Sequence, residues 1–143
     1  MSLVVIPISI RSGLILTNDK NEYLIVKDSR TKKWSFPKGG KEDCDKYLTD
    51  CAEREMFEET GFISDKDYIY NPQNHVCCVS QTKQYCSVYY FFIGKALKND
   101  LYFKQKLEEN IEEVKFVSAY DLMRMNINYV TKSAFLKNAF KDL

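Results

Sequence analysis

Three glutamates in one short segment are the residues of this chain best suited to chemistry. They are Glu55, Glu58 and Glu59, in a segment that reads Arg-Glu-Met-Phe-Glu-Glu-Thr-Gly-Phe from position 54. On a helix, residues three and four positions apart share one face, so the three carboxylates would repel one another. Arg54 relieves part of this repulsion, and a divalent cation would relieve more, because Mg²⁺ prefers oxygen ligands and shares them with substrate phosphates. The spacing therefore indicates a metal site or, alternatively, a solvated acidic face.

The elements around these glutamates favour the metal site. Residues 45–60 are good helix formers, and Gly61 is the residue type that commonly ends a helix. Upstream, Lys38-Gly39-Gly40-Lys41 is a turn whose glycines let the backbone approach a ligand. Four apolar residues at helical spacing predict the buried face of the helix: Leu48, Cys51, Ala52 and Met56.

The rest of the chain predicts one mixed α/β domain over residues 1–143, with helices covering a central sheet. A short helix is predicted to begin near Ser118, and a last helix to bury a stripe of Leu136, Ala139, Phe140 and Leu143. Stretches rich in β-branched and aromatic residues predict strands over 4–10, 13–17, 22–27, 76–79, 85–96 and 113–117.

Composition excludes several classes of protein. With 45% hydrophobic and 29% charged residues the chain is globular, and a net charge of +1 argues against a broad nucleic-acid-binding face. No apolar run approaches the roughly 20 residues that cross a bilayer. Five cysteines without a C-x-x-C pair, together with one histidine, argue against structural zinc and predict reduced thiols in a cytoplasmic protein.

Basic residues gather just before the glycine turn. They suit a substrate with several phosphates, although a solvated surface loop explains them equally well. The cluster comprises Arg30, Lys32, Lys33, Lys38 and Lys41, of which Arg30, Lys33, Lys38 and Lys41 are the candidate substrate-binding residues.

The segment 54–62 resembles the signature of the Nudix hydrolases. That signature is a glycine, five residues, a glutamate and seven further residues before Arg-Glu-apolar-x-Glu-Glu-x-Gly-apolar, and residues 54–62 match its second half in full. Counted from Gly40 the first acidic position falls on Lys46; counted from Gly39 it falls on Asp45, with one extra residue following. We prefer the insertion, because Asp45 can form a charge-assisted pair with Arg54.

The resemblance implies a Nudix fold, an α/β/α sandwich with a mixed central sheet, and a use of Mg²⁺ or Mn²⁺. It implies that Glu55, Glu58 and Glu59 are metal ligands, with the carbonyl of Gly40 or Gly39 as a further donor. Arg54 would orient the carboxylates. Family members often take their general base from outside the signature, and its commonest position falls here on Asn110, so the candidates are its neighbours Glu109 and Glu113.

The stretch Trp34-Ser35-Phe36-Pro37-Lys38-Gly39 is similar to the corresponding part of mRNA-decapping and diadenosine-polyphosphate Nudix enzymes. This favours Mg²⁺-dependent hydrolysis of a diphosphate linkage in a dinucleoside polyphosphate or a cap-like substrate. The expected partner is thus a small phosphorylated molecule, with capped RNA as a further candidate and no membrane. Three alternatives stay open: a diphosphoinositol polyphosphate phosphohydrolase, an mRNA-decapping enzyme, and a nucleotide-binding module with weakened catalysis.

Overall fold

A mixed β-sheet forms the centre of the molecule, and a computed structural model describes it over residues 5–101 and 110–141. Within those residues there are seven strands in one sheet and three helices. The strands are β1 (Ile8–Thr17), β2 (Tyr23–Asp28), β3 (Trp34–Ser35), β4 (Lys38–Gly40), β5 (Tyr68–Gln81), β6 (Cys86–Ala96) and β7 (Ile111–Val117); the helices are α1 (Leu48–Thr60), α2 (Ala119–Leu122) and α3 (Tyr129–Phe140).

Two apolar cores lie on opposite faces of this sheet. On one face Ala52 and Met56 of α1 pack with Leu14, Leu16 and Leu24. On the other face Val130, Ala134 and Phe135 of α3 pack with side chains that include Ile15, Ile25 and Trp34. Successive residues of β1 and β2 therefore point to alternate cores, as the pleat of a strand requires. The predicted α/β/α sandwich with a mixed sheet is confirmed.

The sheet divides along β1, and this division creates the space for a site. The strand order is β3-β2-β1-β6-β5, in which β6 runs parallel to β1 and antiparallel to β5. β1 meets β2 only at Thr17 and Tyr23, whereas Arg11, Ser12 and Gly13 pair with β4 instead. β7 pairs with β2. The sheet therefore forks, with β4 on one branch and β2, β3 and β7 on the other.

The glutamate helix α1 begins and ends close to where its sequence predicts. It starts at Leu48, three residues later than expected, because Asp45 lies in the preceding loop and accepts a hydrogen bond from the Glu42 amide at 2.9 Å. It ends at Gly61, whose φ of 81° is the left-handed conformation that glycine adopts without strain. Cys51, Ala52 and Met56 are fully buried, as predicted, and Leu48 is partly buried.

The predicted inner stripe of α3 is wrong. Val130, Thr131, Ala134 and Phe135 are the buried residues of this helix. Of the predicted stripe, Leu136, Ala139 and Phe140 are exposed, and Leu143 lies outside the described residues. The helix packs through its N-terminal half, where the backbone amide of Phe36 donates to the Thr131 hydroxyl at 3.2 Å, so its C-terminal turn projects beyond the core.

Strand lengths also differ from the sequence expectation. The strand predicted over 76–79 is the end of the 14-residue strand β5, whose first half contains Pro72 and polar residues that hide the alternating pattern. Pro72 is tolerated because β5 is an edge strand and its pairing with β6 shifts between Tyr70 and His75. The stretches predicted over 4–10 and 13–17 form the single strand β1, although residue 4 lies outside the described residues. Within the described residues, no helix is both long and apolar enough to cross a membrane.

Candidate active site

Arg54 is the centre of the site, because its guanidinium connects the glutamate helix to the loop before it. Its Nη2 donates to Asp45 Oδ2 at 2.9 Å and to the Gly40 carbonyl at 2.9 Å, and its Nη1 donates to Glu55 at 3.1 Å and to Glu58 at 3.2 Å. The hydrogen bond to Asp45 raises the pKa of Arg54, and the same bond holds the pKa of the Asp45 carboxyl below its usual range. The predicted pair of Asp45 and Arg54 is thereby confirmed, whereas the one-residue insertion in the signature stays a prediction.

The three glutamates of α1 differ in burial. Glu55 and Glu59 are 8% and 5% exposed, whereas the side chain of Glu58 is 37% exposed and contacts Arg54. Glu55 and Glu59 are four residues apart, so both carboxylates point from the same buried face of the helix. Burying two carboxylates side by side is unfavourable without compensating positive charge. The arrangement therefore favours a cation-binding face.

Gly39 is the residue against which the Glu55 carboxylate packs. A Cβ atom at Gly39 would lie 2.1 Å from the carboxyl carbon of Glu55, well inside van der Waals contact, whereas a Cβ at Gly40 would meet nothing within 4 Å. A side chain at position 39 would therefore displace the Glu55 carboxylate from the place it occupies beside β4. The Gly40 carbonyl, predicted as a metal ligand, accepts the hydrogen bond from Arg54.

A polar cleft of about 240 Å³ opens at the fork of the sheet, and Glu55 and Glu59 form part of its wall. Two predicted substrate-binding residues, Arg30 and Lys38, line the same cleft. The other two, Lys33 and Lys41, are exposed and lie outside it. Burial lowers the pKa of the half-buried Lys38, and the charges of Glu59 and Glu55 oppose that effect. The cleft thus contains both cationic and carboxylate side chains.

Asp28 orients Arg30 within this cleft. Its Oδ1 accepts hydrogen bonds from the backbone amides of Arg30 at 2.7 Å and Thr31 at 3.1 Å, and its Oδ2 lies 3.3 Å from Arg30 Nη2. Burial raises the pKa of the Asp28 carboxyl. The hydrogen bonds and the charge of Arg30 lower it by more, so the pKa lies below its usual range. Asp28 is therefore an anionic residue that fixes the loop after β2.

The two candidate general bases fall in different places. Glu113 lies on the α3 side of the sheet, where its carboxylate is 3.6 Å from Lys115, and Lys115 in turn is 4.6 Å from the ring centroid of the α3-side core residue Trp34. α1 covers the other side, so the fold does not bring Glu113 to Glu55 and Glu59. Glu109 lies outside the described residues. Asn110, the residue at the commonest position of the base, lines the cleft.

Sequence reasoning missed three further polar residues of the cleft, namely Arg11, Asp28 and Ser35. The sequence offered a signal for Arg11, because it is the one charged residue in the strand sequence from Ile8 to Thr17. Asp28 and Ser35 carry no comparable signal. Their positions follow from the pairing of β2 with β3 and β7, which joins residues far apart in the sequence.

The donor set suits a hard divalent cation that takes its remaining ligands from water and substrate. Glu55 and Glu59 provide buried carboxylate oxygens on one helix face, close to the backbone of Gly39. Across residues 5–101 and 110–141 there is no group of three or more His, Cys, Asp or Glu side chains placed to hold a metal ion. Since Mg²⁺ keeps several waters and binds through one or two carboxylates plus substrate phosphates, two buried carboxylates are a sufficient protein contribution.

Comparisons with known proteins identify the family and the fold of the chain. A family model described as the NUDIX domain matches residues 8–137. Subunit 2 of the mRNA decapping complex of Schizosaccharomyces pombe is 29% identical over 134 residues, which are 93% of this chain and 17% of that protein. The chain thus spans about a sixth of the length of this relative.

Solved structures share the fold at low sequence identity. A Caenorhabditis elegans Ap4A hydrolase in a binary complex superposes with a TM-score of 0.77 at 17% identity, covering 92% of this chain and 95% of that one. The MutT protein of Methanosarcina mazei Go1 superposes with a TM-score of 0.79 at 20% identity, covering 98% and 99%. At these identities the likeness concerns the fold.

Proposed function

We propose that this chain, which belongs to the Nudix family, hydrolyses a diphosphate linkage with Mg²⁺ or Mn²⁺ as cofactor. The observation that carries the proposal is the cleft at the sheet fork, which the buried carboxylates of Glu55 and Glu59 line together with Arg30 and Lys38. Carboxylates suit a divalent cation, and the two basic side chains suit the phosphate oxygens that such a cation shares.

Each residue has a defined task in this proposal. Glu55 and Glu59 hold the cation, with Glu58 and the Gly40 carbonyl as the further predicted ligands. When bound, the cation neutralises the anionic linkage and makes water a better nucleophile. Lys38 and Arg30 bind and orient the phosphate chain in the cleft, where partial exclusion of water strengthens each ion pair. Arg54 keeps the carboxylates aligned, because it contacts Glu55, Glu58 and the loop residue Asp45 at once.

The substrate we propose is a dinucleoside polyphosphate or a cap-like nucleotide. Similarity to the decapping subunit extends over almost the whole of this chain and supports a substrate in which a phosphate bridge joins two groups. This chain covers only 17% of that relative, so activity on capped RNA does not follow from the similarity. Capped RNA is therefore included among the substrates to be assayed. A cytoplasmic location belongs to the proposal, since all five cysteines are free thiols, as expected in a reducing compartment.

A panel of substrates tests the proposal directly. Diadenosine tetraphosphate, a methylated cap dinucleotide, capped RNA, a nucleotide sugar and an inositol pyrophosphate would be incubated with Mg²⁺, and the phosphorylated products quantified. We expect the highest kcat/KM for the dinucleotide or cap-like substrates. A preference for the inositol pyrophosphate would show that the substrate is a diphosphoinositol polyphosphate, with the same hydrolysis of a diphosphate linkage. If no substrate of the panel is turned over with either Mg²⁺ or Mn²⁺, the alternative of a nucleotide-binding module is favoured.

A further inference from the structure

Arg11 lies where two clefts meet. It belongs to β1, opposite Gly40 of β4, and it lines the cleft that contains Glu55 and Glu59. It also lines a second cleft of about 420 Å³, whose wall includes Tyr85 and Tyr89. A cationic side chain is therefore the shared wall between a carboxylate-lined space and an aromatic one.

Within the part of the chain that the structure describes, the charge of Arg11 is not matched by an acidic partner. Its Nε atom is buried and has no hydrogen-bond partner, and none of the ion pairs among the described residues includes it. Its guanidinium carbon lies 5.9 Å from the ring centroid of Tyr89, and Lys38 Nζ lies 5.8 Å from the same centroid. Two cations beside one ring repel each other, so an anion between them would stabilise both.

The second cleft has the composition of a site for an aromatic ring with polar edges. Tyr89 is 9% exposed and its ring lies parallel to that of Phe91 with 6.0 Å between the ring centroids, so it forms the floor of the cleft. Tyr85 is 50% exposed and is the ring that is open to a ligand. Ser9, Ser80 and Ser87 add hydroxyl groups to the lining. Tyrosine rings offer stacking surfaces and serine hydroxyls offer hydrogen bonds, which are the two contacts that a nucleobase requires.

We propose that Arg11 binds a non-reacting phosphate of the substrate and that the cleft lined by Tyr85 and Tyr89 receives the nucleoside attached to that phosphate. The inference rests on the proposed function and names the residues that recognise the nucleoside end of its substrate. The phosphate chain crosses from the carboxylate cleft to the aromatic cleft at Arg11. The planar fork of the guanidinium suits this position, because it grips a phosphate through two parallel hydrogen bonds.

Binding of two hydrolysis-resistant probes tests the inference. One probe is ATP in which methylene groups replace both bridging oxygens, and the other is the matching methylene-bridged tripolyphosphate without a nucleoside. We expect Arg11→Gln to weaken both probes at least tenfold in titration calorimetry with Mg²⁺ present. Tyr85→Ala should weaken the nucleotide probe alone. Lys132→Gln, which removes one charge from an exposed position of α3, is the matched control and should change neither affinity.

Further measurements separate a binding role from a structural one. Arg11→Lys keeps the charge but loses the fork, so we expect an intermediate affinity, and this variant carries the test if thermal melting shows that Arg11→Gln is unfolded. In steady-state assays Arg11→Gln should raise KM more than it lowers kcat, as expected when a contact remote from the reacting atoms is lost.

Two outcomes would overturn the inference: Arg11→Gln binding both probes as tightly as Lys132→Gln, or Tyr85→Ala losing affinity equally for both. Failure of the proposed function is recognised separately. If no substrate of the panel turns over while probe binding still depends on Arg11 and Tyr85, the binding site stands and the catalytic proposal falls. If turnover is present and Arg11 makes no difference to binding, only the inference fails.

Discussion

Arg54 shows how one side chain can hold an acidic site together. It contacts Asp45, Glu55 and Glu58, and Glu42 lies 3.6 Å away, so one guanidinium serves four carboxylates. Asp45 is its most buried partner at 3% exposed, and it also fixes the loop through the Glu42 amide. The pair therefore connects loop geometry with the alignment of the glutamates.

Replacing Asp45 by Asn keeps the shape of the side chain and removes its charge. We expect Asp45→Asn to lower the free energy of unfolding at pH 7 by about 2 kcal/mol, the scale of a hydrogen bond between charged groups. The pKa of Asp45 is lowered in the folded state, so its stabilisation is present above the usual carboxyl pKa of about 4 and is lost as the pH falls through the folded value. Urea unfolding at pH 7 and at successively lower pH measures this.

The neighbouring exposed residue supplies the control for that comparison. Asp43→Asn removes the same charge from an exposed position of the same loop and should leave stability within about 0.5 kcal/mol of the unmodified protein. A difference between the two variants that persists undiminished to the lowest pH would show that the charge of Asp45 is not what stabilises the fold.

Substituting glutamine for Glu58 or Glu59 tests the metal face, because it removes the negative charge and keeps the shape of the side chain. We expect Glu58→Gln and Glu59→Gln each to reduce turnover at least about a hundredfold, the scale expected when a group acts on the transition state. Without metal, Glu58→Gln should change stability by no more than about 0.5 kcal/mol or raise it, because the partly exposed contact with Arg54 is weak and one charge leaves a repelling group. Thermal melting and single-turnover rates with saturating Mg²⁺ measure the two effects, and a destabilised but active variant would contradict the assignment.

Lys38 and Lys41 are three residues apart in the sequence, yet only Lys38 lines the cleft. Charge reversal at both positions should weaken substrate binding, and we expect Lys38→Glu to account for most of the loss, by at least about tenfold as is typical of a charge-assisted contact. The effect should grow with the number of substrate phosphates. KM values for dinucleotides with two to five phosphates measure it, with Lys41→Glu compared directly. Equal effects of the two variants would show that general electrostatic attraction dominates.

At the scale of secondary structure, the contact between β4 and α1 places the Glu55 carboxylate. β4 pairs with β1 through Arg11, Ser12 and Gly13, and the Ser12 hydroxyl donates to the carbonyl of Leu48 in α1 at 2.8 Å. Strand, turn and helix are therefore held in one unit. The position of Glu55 depends on the absence of a side chain at Gly39.

Alanine substitutions in β4 test this packing, because the two adjacent glycines differ in their surroundings. A Cβ at Gly39 would overlap the Glu55 carboxylate at 2.1 Å, so we expect Gly39→Ala to reduce turnover about a hundredfold, the cost of misplacing a catalytic group by about 1 Å. Gly40→Ala is the matched control, since its Cβ would meet nothing within 4 Å. Steady-state assays of both variants, with circular dichroism to verify folding, measure the effect. Equal activity of the two variants would show that a side chain at position 39 does not displace Glu55.

For the whole molecule, we expect activity to depend on metal and on pH, because the cleft combines buried carboxylates with cationic side chains. Turnover should require Mg²⁺ or Mn²⁺, stop on exhaustive chelation, and rise toward alkaline pH because a water must lose a proton. A cation that binds only the folded state also raises the melting temperature, so Mg²⁺ should stabilise the unmodified protein and have a smaller effect on Glu59→Gln. Turnover that survives chelation would exclude the metal-dependent mechanism.

The fold of the whole molecule determines which acidic residues reach the cleft and can act as the general base. Glu113 lies on the side of the sheet opposite to α1, whereas Asn110 is in the cleft wall. Of the two candidates, Glu109 is adjacent to Asn110 in the sequence, and its role as the base stays a prediction from the sequence.

The sequence by itself determined the features that depend on near neighbours along the chain. Helical spacing placed Glu55, Glu58 and Glu59 on one face, Gly61 ended the helix, and the acidic residue that pairs with Arg54 was identified nine positions before it. The tertiary structure alone decided that Glu58 is more exposed than its neighbours, that Lys38 enters the cleft while Lys33 and Lys41 do not, and that Arg11 borders two clefts. The physical reason is that these properties depend on the pairing of β1 with β4 and β6 and on the fork that separates β4 from β2. Such long-range pairing leaves no local periodicity in the sequence, and the same holds for α3, whose buried side is set by where it meets the sheet.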